Sequence, residues 1–309
     1  MASLSARRTR MGPMRRREAI AGFLFVSPWI ISLLVFAAYP VLAAVYLSFT
    51  NYNILEPPTW VGMKNYTEIL TADNAFWQSV RNTLYYALIS VPLRLALGLG
   101  LAVILNMRAR GIGVYRTLFY LPALVPPVVG AIIFVVLLSP NGLVNNLFQL
   151  VGLSGPRWLS DPNWSKPALI ILSLWPVGVE TLIFLAGLKE VPESLLDAAA
   201  IDGAGPVQQF RHITLPLITP AILFNLVIGI IYSFQVFDQA IVIGGINGQP
   251  LESTLMLMVL IYRNAFRYFS MGYASALGVL LMLAVLLLTV VIFRSARAWV
   301  FYEAEDRPA

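Results

Sequence analysis

The chain has 309 residues, 59% hydrophobic and 12% charged, with a net charge of +6. That balance excludes an ordinary soluble domain and places the chain in the membrane class. The absence of cysteine and the single histidine, His212, exclude a disulfide framework, an iron–sulfur cluster and thiol catalysis, and argue against a metal site.

Residues 1–19 carry Arg7, Arg8, Arg10, Arg15, Arg16 and Arg17 and read as a basic cytoplasmic tail. The apolar run 20–49 is too long for a cleaved leader and reads as a retained first span. Pro28 and Pro40 lie inside it, as membrane helices allow. Residues 50–80 form a polar and aromatic outer loop, with Trp60, Tyr66 and Trp77 as interfacial anchors. A second span is expected over 82–106, with Arg94 near its middle and Pro92 as a kink. A third is expected over 117–138. The link between them holds Arg108, Arg110 and Arg116. Turn residues such as Asn141-Gly142 and Gly155-Pro156 mark 139–167 as a second outer loop.

The fourth span is expected over 168–188 and the fifth over 217–243. Residues 244–250 read as a flexible outer turn. The apolar stretch 255–262 is too short to cross a bilayer and reads as an interfacial or partly inserted helix, closed by Arg263 and Arg267. The last span runs over about 272–293, and 294–309 form a second cytoplasmic tail. With the amino terminus inside, the cytoplasmic segments hold 14 of the 21 Lys/Arg and the outer loops six, Arg94 being within a span. This obeys the positive-inside rule and accounts for the basic surplus without a nucleic-acid partner. The expected fold is all-α and polytopic, with six spans and both termini cytoplasmic. The transmembrane domain covers 20–293.

Between spans four and five lies a cytoplasmic loop, 190–216, of different character. It holds four acids, Arg211 and His212, broken by Gly203, Gly205 and Pro206. Pro192 suits a first helical turn and Gly203 a left-handed stop. Pro206 opens a second short helix that Pro216 and Pro220 end. At these residues the chain resembles the membrane subunits of ATP-binding cassette importers. Their motif is E-A-A, three residues, G, nine residues, I, one residue, L-P. Here Asp197, Ala198, Ala199, Gly203, Ile213, Leu215 and Pro216 occupy those places, with Asp197 as the one departure. The resemblance implies that this loop is the coupling element seated in a separate ATPase subunit. The segment Trp60-Val61-Gly62-Met63-Lys64-Asn65-Tyr66 is likewise similar to one in sugar-type permeases of that family.

No phosphate-binding loop is present, since the chain has no Gly-Lys pair. The chain therefore reads as non-catalytic and without a bound cofactor, ATP and magnesium belonging to the partner ATPases. Arg94, Glu180 and Asp238 are ionisable residues within spans, which are costly there and face a cavity or a partner. Pairing of Arg94 with Glu180 is one option. The fifth span mixes aromatic and neutral hydrogen-bonding residues, the chemistry that sugars require. It is similar to the sugar-contacting part of maltose-type permeases. The resemblance carries substrate contacts to Gly229, Tyr232, Ser233 and Val236, with Trp175 and Glu180 opposite.

The expected function is the permease of a binding-protein-dependent sugar importer in the cytoplasmic membrane. The partners implied are a second homologous permease, two ATPase subunits and an extracytoplasmic solute-binding protein. An importer of the same class for a glycerophosphodiester, glycerol-3-phosphate or a polyol stands as an alternative. An ion-driven secondary transporter is the alternative of a different class.

Overall fold

A computed structural model describes residues 13–107 and 110–301, and they are almost wholly helical. Helix α1 (Pro13–Leu33) continues through a π-helical turn, Leu34–Ala38, into α2 (Tyr39–Ser48). The wide turn directly precedes Pro40, which has no N–H to give the turn behind it. Helix therefore starts at Pro13, inside the expected basic tail; residues 1–12 and 302–309 of the two expected tails lie outside the described residues. A two-residue hairpin follows, β1 (Thr50–Asn51) against β2 (Thr59–Trp60), then α3 (Lys64–Thr71). Asn65 donates from Nδ2 to the carbonyls of Ser48 and Thr50 at 2.8 and 2.9 Å, and Tyr66 donates to the Ser48 hydroxyl at 2.7 Å. The expected outer loop is thus a compact cap that satisfies the end of the first span.

The spine of the fold is α4 (Asn74–Asn106). It begins eight residues before the expected second span, because Asp73 caps it by accepting from Ala75 N and Phe76 N at 2.8 and 3.2 Å. The third span differs from expectation. Helices α5 (Ile112–Tyr120) and α6 (Pro127–Leu137) do not form one rod, and the chain bends by 96° between them. Pro126 and Pro127 break the ladder there. Helix α7 (Leu143–Leu150) lies in the second outer loop, where Asn145 accepts from Trp158 Nε1 at 3.1 Å. The fourth span is also bent, by 47°, between α8 (Pro162–Leu174) and α9 (Gly178–Glu190). Among the described residues, four helices are long and apolar enough to cross a membrane, and up to six spans result when each bent pair is one.

Helix α10 (Glu193–Ile201) is followed by α11 (Pro206–Gln209), a π turn (Phe210–Thr214) and α12 (Leu215–Leu217). Pro192 precedes α10 as its cap residue instead of entering its first turn. Pro216 does not end the second helix; it again follows a π turn, and the break comes at Ile218. Helix α13 (Thr219–Phe234) and α14 (Asp238–Gly244) make the fifth span, with a step at 235–237. The turn after it is packed, not loose. A Cβ on Gly244 or Gly248 would collide with Thr254 or Leu255.

The short α15 (Leu257–Tyr262), expected as an interfacial or partly inserted helix, is packed into the chain's own core. Leu255, Met256 and Val259 are fully enclosed in the main core, beside Phe234, Tyr86 and Leu277. Asn82 on α4 donates to the carbonyls of Glu252 and Leu255 at 2.8 and 3.1 Å, and Thr83 accepts from Leu257 N at 3.1 Å. Those bonds satisfy the irregular backbone that leads into α15, so it is enclosed without orphaned groups at those positions. A π turn, Arg263–Arg267, leads on to the last helix, α16 (Met271–Ala296). The apolar window of the first span is not buried against the rest of the chain.

Candidate functional site: the helical elbow and the seam above it

The two short helices after α9 make an elbow. Its corner is a Schellman turn: Ala204 N donates to Ala199 O at 2.9 Å and Gly203 N to Ala200 O at 3.1 Å. The turn needs a left-handed residue, and Gly203 has φ +84°. Ala199 and Gly203 therefore belong to one local structure. Gln209 Nε2 closes the corner on Ala204 O at 3.0 Å. On the inner side, Leu196, Leu215 and Leu217 pack on Leu188, Val191 and Ile218, which join the ends of α9 and α13. Ile213 and Pro216 are half-buried and Asp197 and Ala198 exposed. The outer side carries Ile201 and Val207, 87% and 81% exposed. An elbow so mounted moves with two spans at once and offers apolar knobs outward.

Above the elbow, α4 and α9 are pressed together. A Cβ on Gly98 would lie 3.0 Å from Glu180 Cβ. One turn earlier, Arg94 Nη2 is joined to Glu180 Oε1 in an ion pair. Arg94 Nε and Glu180 Oε2 are buried without a hydrogen-bond partner. Each such orphan group costs roughly 1–3 kcal/mol in a dry site, so the pair is under-satisfied on both members. Tyr86 and Ser90 continue the face of α4 that bears Arg94, buried at four-residue intervals with Asn82. This polar stripe is visible in the sequence only once its period of four is counted from Arg94. The close approach at Gly98 falls on the same count.

The other residues expected on the pathway are dispersed. Trp175 sits at the bend of the fourth span against Gly130 and Phe134, the ring centroids 5.8 Å apart. Gly229 faces Val91 of α4, a Cβ there reaching 3.3 Å from Val91 Cγ1. Tyr232 is exposed on α13. Ser233 is buried, its hydroxyl spent on Ile230 O at 2.8 Å, and Val236 joins the main core. Asp238 opens α14. Of that set, Arg94 and Glu180 are joined from different helices by an ion pair. Sequence reasoning did not foresee Thr219, which accepts from Phe301 N at 2.9 Å and ties the segment after α16 to the foot of α13.

Comparison with known proteins follows the same outline. Residues 94–300 match a family profile described as binding-protein-dependent transport system inner membrane component. The chain is 43% identical over 293 residues to a probable ABC transporter permease protein, YesP, of Bacillus subtilis, covering 94% of this chain and 95% of that one. It is 32% identical to the lactose transport system permease protein LacF of Rhizobium radiobacter, over 94% of this chain and 98% of that one. It is 33% identical to the trehalose/maltose transport system permease protein MalF of Thermococcus litoralis, over 92% and 96%. Among solved structures, a chain of a bacterial ABC transporter involved in the import of the acidic polysaccharide alginate superimposes with a TM-score of 0.80. It shares 25% identity and covers 92% of this chain and 99% of that one.

Proposed function

We propose that this chain, which belongs to the family of binding-protein-dependent transport system inner membrane components, is the carbohydrate-translocating permease subunit of an ATP-driven importer. The observation that carries this reading is the elbow. Its Schellman corner at Gly203, apolar outer knobs and rigid seating on α9 and α13 suit a part pushed from outside the membrane. In this reading Asp197, Ala198, Ala199, Gly203, Ile213, Leu215 and Pro216 engage one of two ATPase subunits, which bind ATP and magnesium. Closure of the ATPases moves the elbow, and differential contacts in the two states turn the bundle between inward and outward access.

A second permease completes the pathway. The bare first span, whose apolar window has no burial in its own chain, supports that partner. A solute-binding protein delivers substrate to the outer caps; the alginate transporter was solved in complex with an alginate pentasaccharide-bound periplasmic protein. Glycosides, including anionic ones, form the proposed substrate class, since relatives are named for lactose, arabinooligosaccharides and sulfoquinovosyl glycerol. Glu180 and Arg94 are the proposed polar contacts nearest the pathway, with Trp175, Gly229, Tyr232, Ser233 and Val236 along it.

The test is purification of the chain from native membranes, identification of co-eluting subunits, and sugar uptake by the reconstituted complex. The reading expects an ATPase in the eluate and uptake that stops on ATP depletion. Uptake by the isolated chain, or uptake that survives ATP depletion and stops with an uncoupler, would replace it with the ion-driven alternative.

A further inference from the structure

A cleft of about 600 Å³ opens at the base of the elbow. Its walls include Asn106 and Met107 from the end of α4, Arg110 and Arg116 from the start of α5, and Lys189 and Glu193 from the junction of α9 with α10. Among the described residues, three cations thus line it with one acid. Arg116 donates Nη2 and Nε to Leu105 O at 2.8 and 3.3 Å, which fixes its guanidinium at the cleft wall. Arg110 and Lys189 are exposed, and among the described residues neither enters an ion pair.

The cleft adjoins apolar surface. Met107 on its rim and Val114, Tyr115 and Leu118 on α5 are all exposed. The 11 residues of α6 are too few to cross a bilayer alone, so α5 enters the membrane as the other limb of that bent span, and the cleft lies at its foot. A basic cleft beside an exposed apolar helix, at the level of the membrane surface, presents a charge for a headgroup and a bed for its chains.

We propose that this cleft holds the phosphate of an anionic phospholipid headgroup, whose acyl chains lie over Met107 and α5. A free phosphate offers the same charge but leaves the apolar bed uncovered. The site rests on the membrane-permease reading and adds regulation to it. Glu193 and Leu196 of α10 form one wall, so a bound headgroup braces the first turn of the elbow against the end of α4 and the start of α5. It also relieves the mutual repulsion of the three cations, which is weakly screened in a recess.

The experiment uses the importer purified with its co-eluting ATPase and placed in nanodiscs of equal phosphatidylcholine and phosphatidylglycerol. Native mass spectrometry then counts the lipid that stays bound. The wild type should retain phosphatidylglycerol in preference. In Arg110→Gln/Lys189→Gln the preference should fall by roughly thirtyfold, two basic side chains being lost. The charge-preserving Arg110→Lys/Lys189→Arg should keep it, and excess inorganic phosphate should leave the lipid in place. Equal retention by wild type and the glutamine variant overturns the proposal. So does displacement by inorganic phosphate, which assigns the cleft to a free anion. Loss of the ATPase from the glutamine variant with unchanged lipid selectivity also overturns it, assigning the cations to subunit contact. Absence of any ATPase from the wild-type eluate would defeat the permease reading alone, since lipid selectivity is then read on the chain by itself.

Discussion

At Gly203 the backbone sits at φ +84° with open space around the missing Cβ. A side chain there meets no neighbour in this chain, so its cost is conformational, about 1–2 kcal/mol. That is too little to unfold a bundle and enough to reset the corner. Gly203→Trp should therefore insert normally, hydrolyse ATP with its partner subunits, and lose most sugar uptake. Side-by-side ATPase and uptake assays check this, and normal uptake would sink the coupling role. The Arg94–Glu180 pair predicts the opposite balance. Removing one partner leaves a buried charge uncompensated, at about 3–5 kcal/mol. Arg94→Glu and Glu180→Arg should each lower the folded yield and uptake, and the double exchange should regain both. Fluorescence-detected size exclusion and uptake measure it. Gly203 was legible from the sequence because motif spacing and left-handed tolerance agree there. The ion pair was only one option, because sequence places two charges in spans without saying which faces meet. What decides it is Gly98, a position whose meaning depends on how close α9 comes.

Among the elements, the long apolar runs were readable and the breaks between them were not. Composition marks 117–138 as apolar, but the 96° bend before α6 depends on Pro126 and Pro127 standing side by side, which removes two successive N–H donors. Prolines 28, 40 and 216 stay within helices, two of them directly after π turns. The same residue type breaks one element and merely widens another, so local signals alone do not separate the cases. The enclosure of 255–262 was hidden for a related reason. Its length rules out a span, yet length is silent on whether Asn82 and Thr83 wait across the bundle to satisfy its backbone. The cap on the first span gives a test at this scale. Asn65→Ala orphans the Ser48 and Thr50 carbonyls that it serves, at about 1–3 kcal/mol. The thermal unfolding midpoint in detergent should drop, with ATP-dependent uptake at low temperature retained. An unchanged midpoint would show that water replaces the amide.

For the whole molecule, the first span is the telling feature. A 33-residue helix with an unburied apolar window meets its own bundle through α2, and lipid alone does not require Trp29 or Phe25 at any one angle. If a second permease covers it, contacts must recur with helical period. The chain lacks cysteine, so single cysteines from 23 to 36 can be introduced into an otherwise unreactive background. Cross-links to the partner subunit should appear at three- and four-residue intervals along one face. Uniform or absent cross-linking would leave that helix to lipid.

The enclosed helix Leu257–Tyr262 has a further consequence, for how the protein is made. Six residues cannot partition into a bilayer alone, so the segment has no stable place until α4 and α16 stand on either side of it. α16 follows it in the chain, so the stretch around 245–270 emerges before one of its two walls exists. Its enclosure therefore comes as a tucking step once α16 has docked, and a copy halted before that step exposes an irregular strap that membrane quality-control proteases can grip.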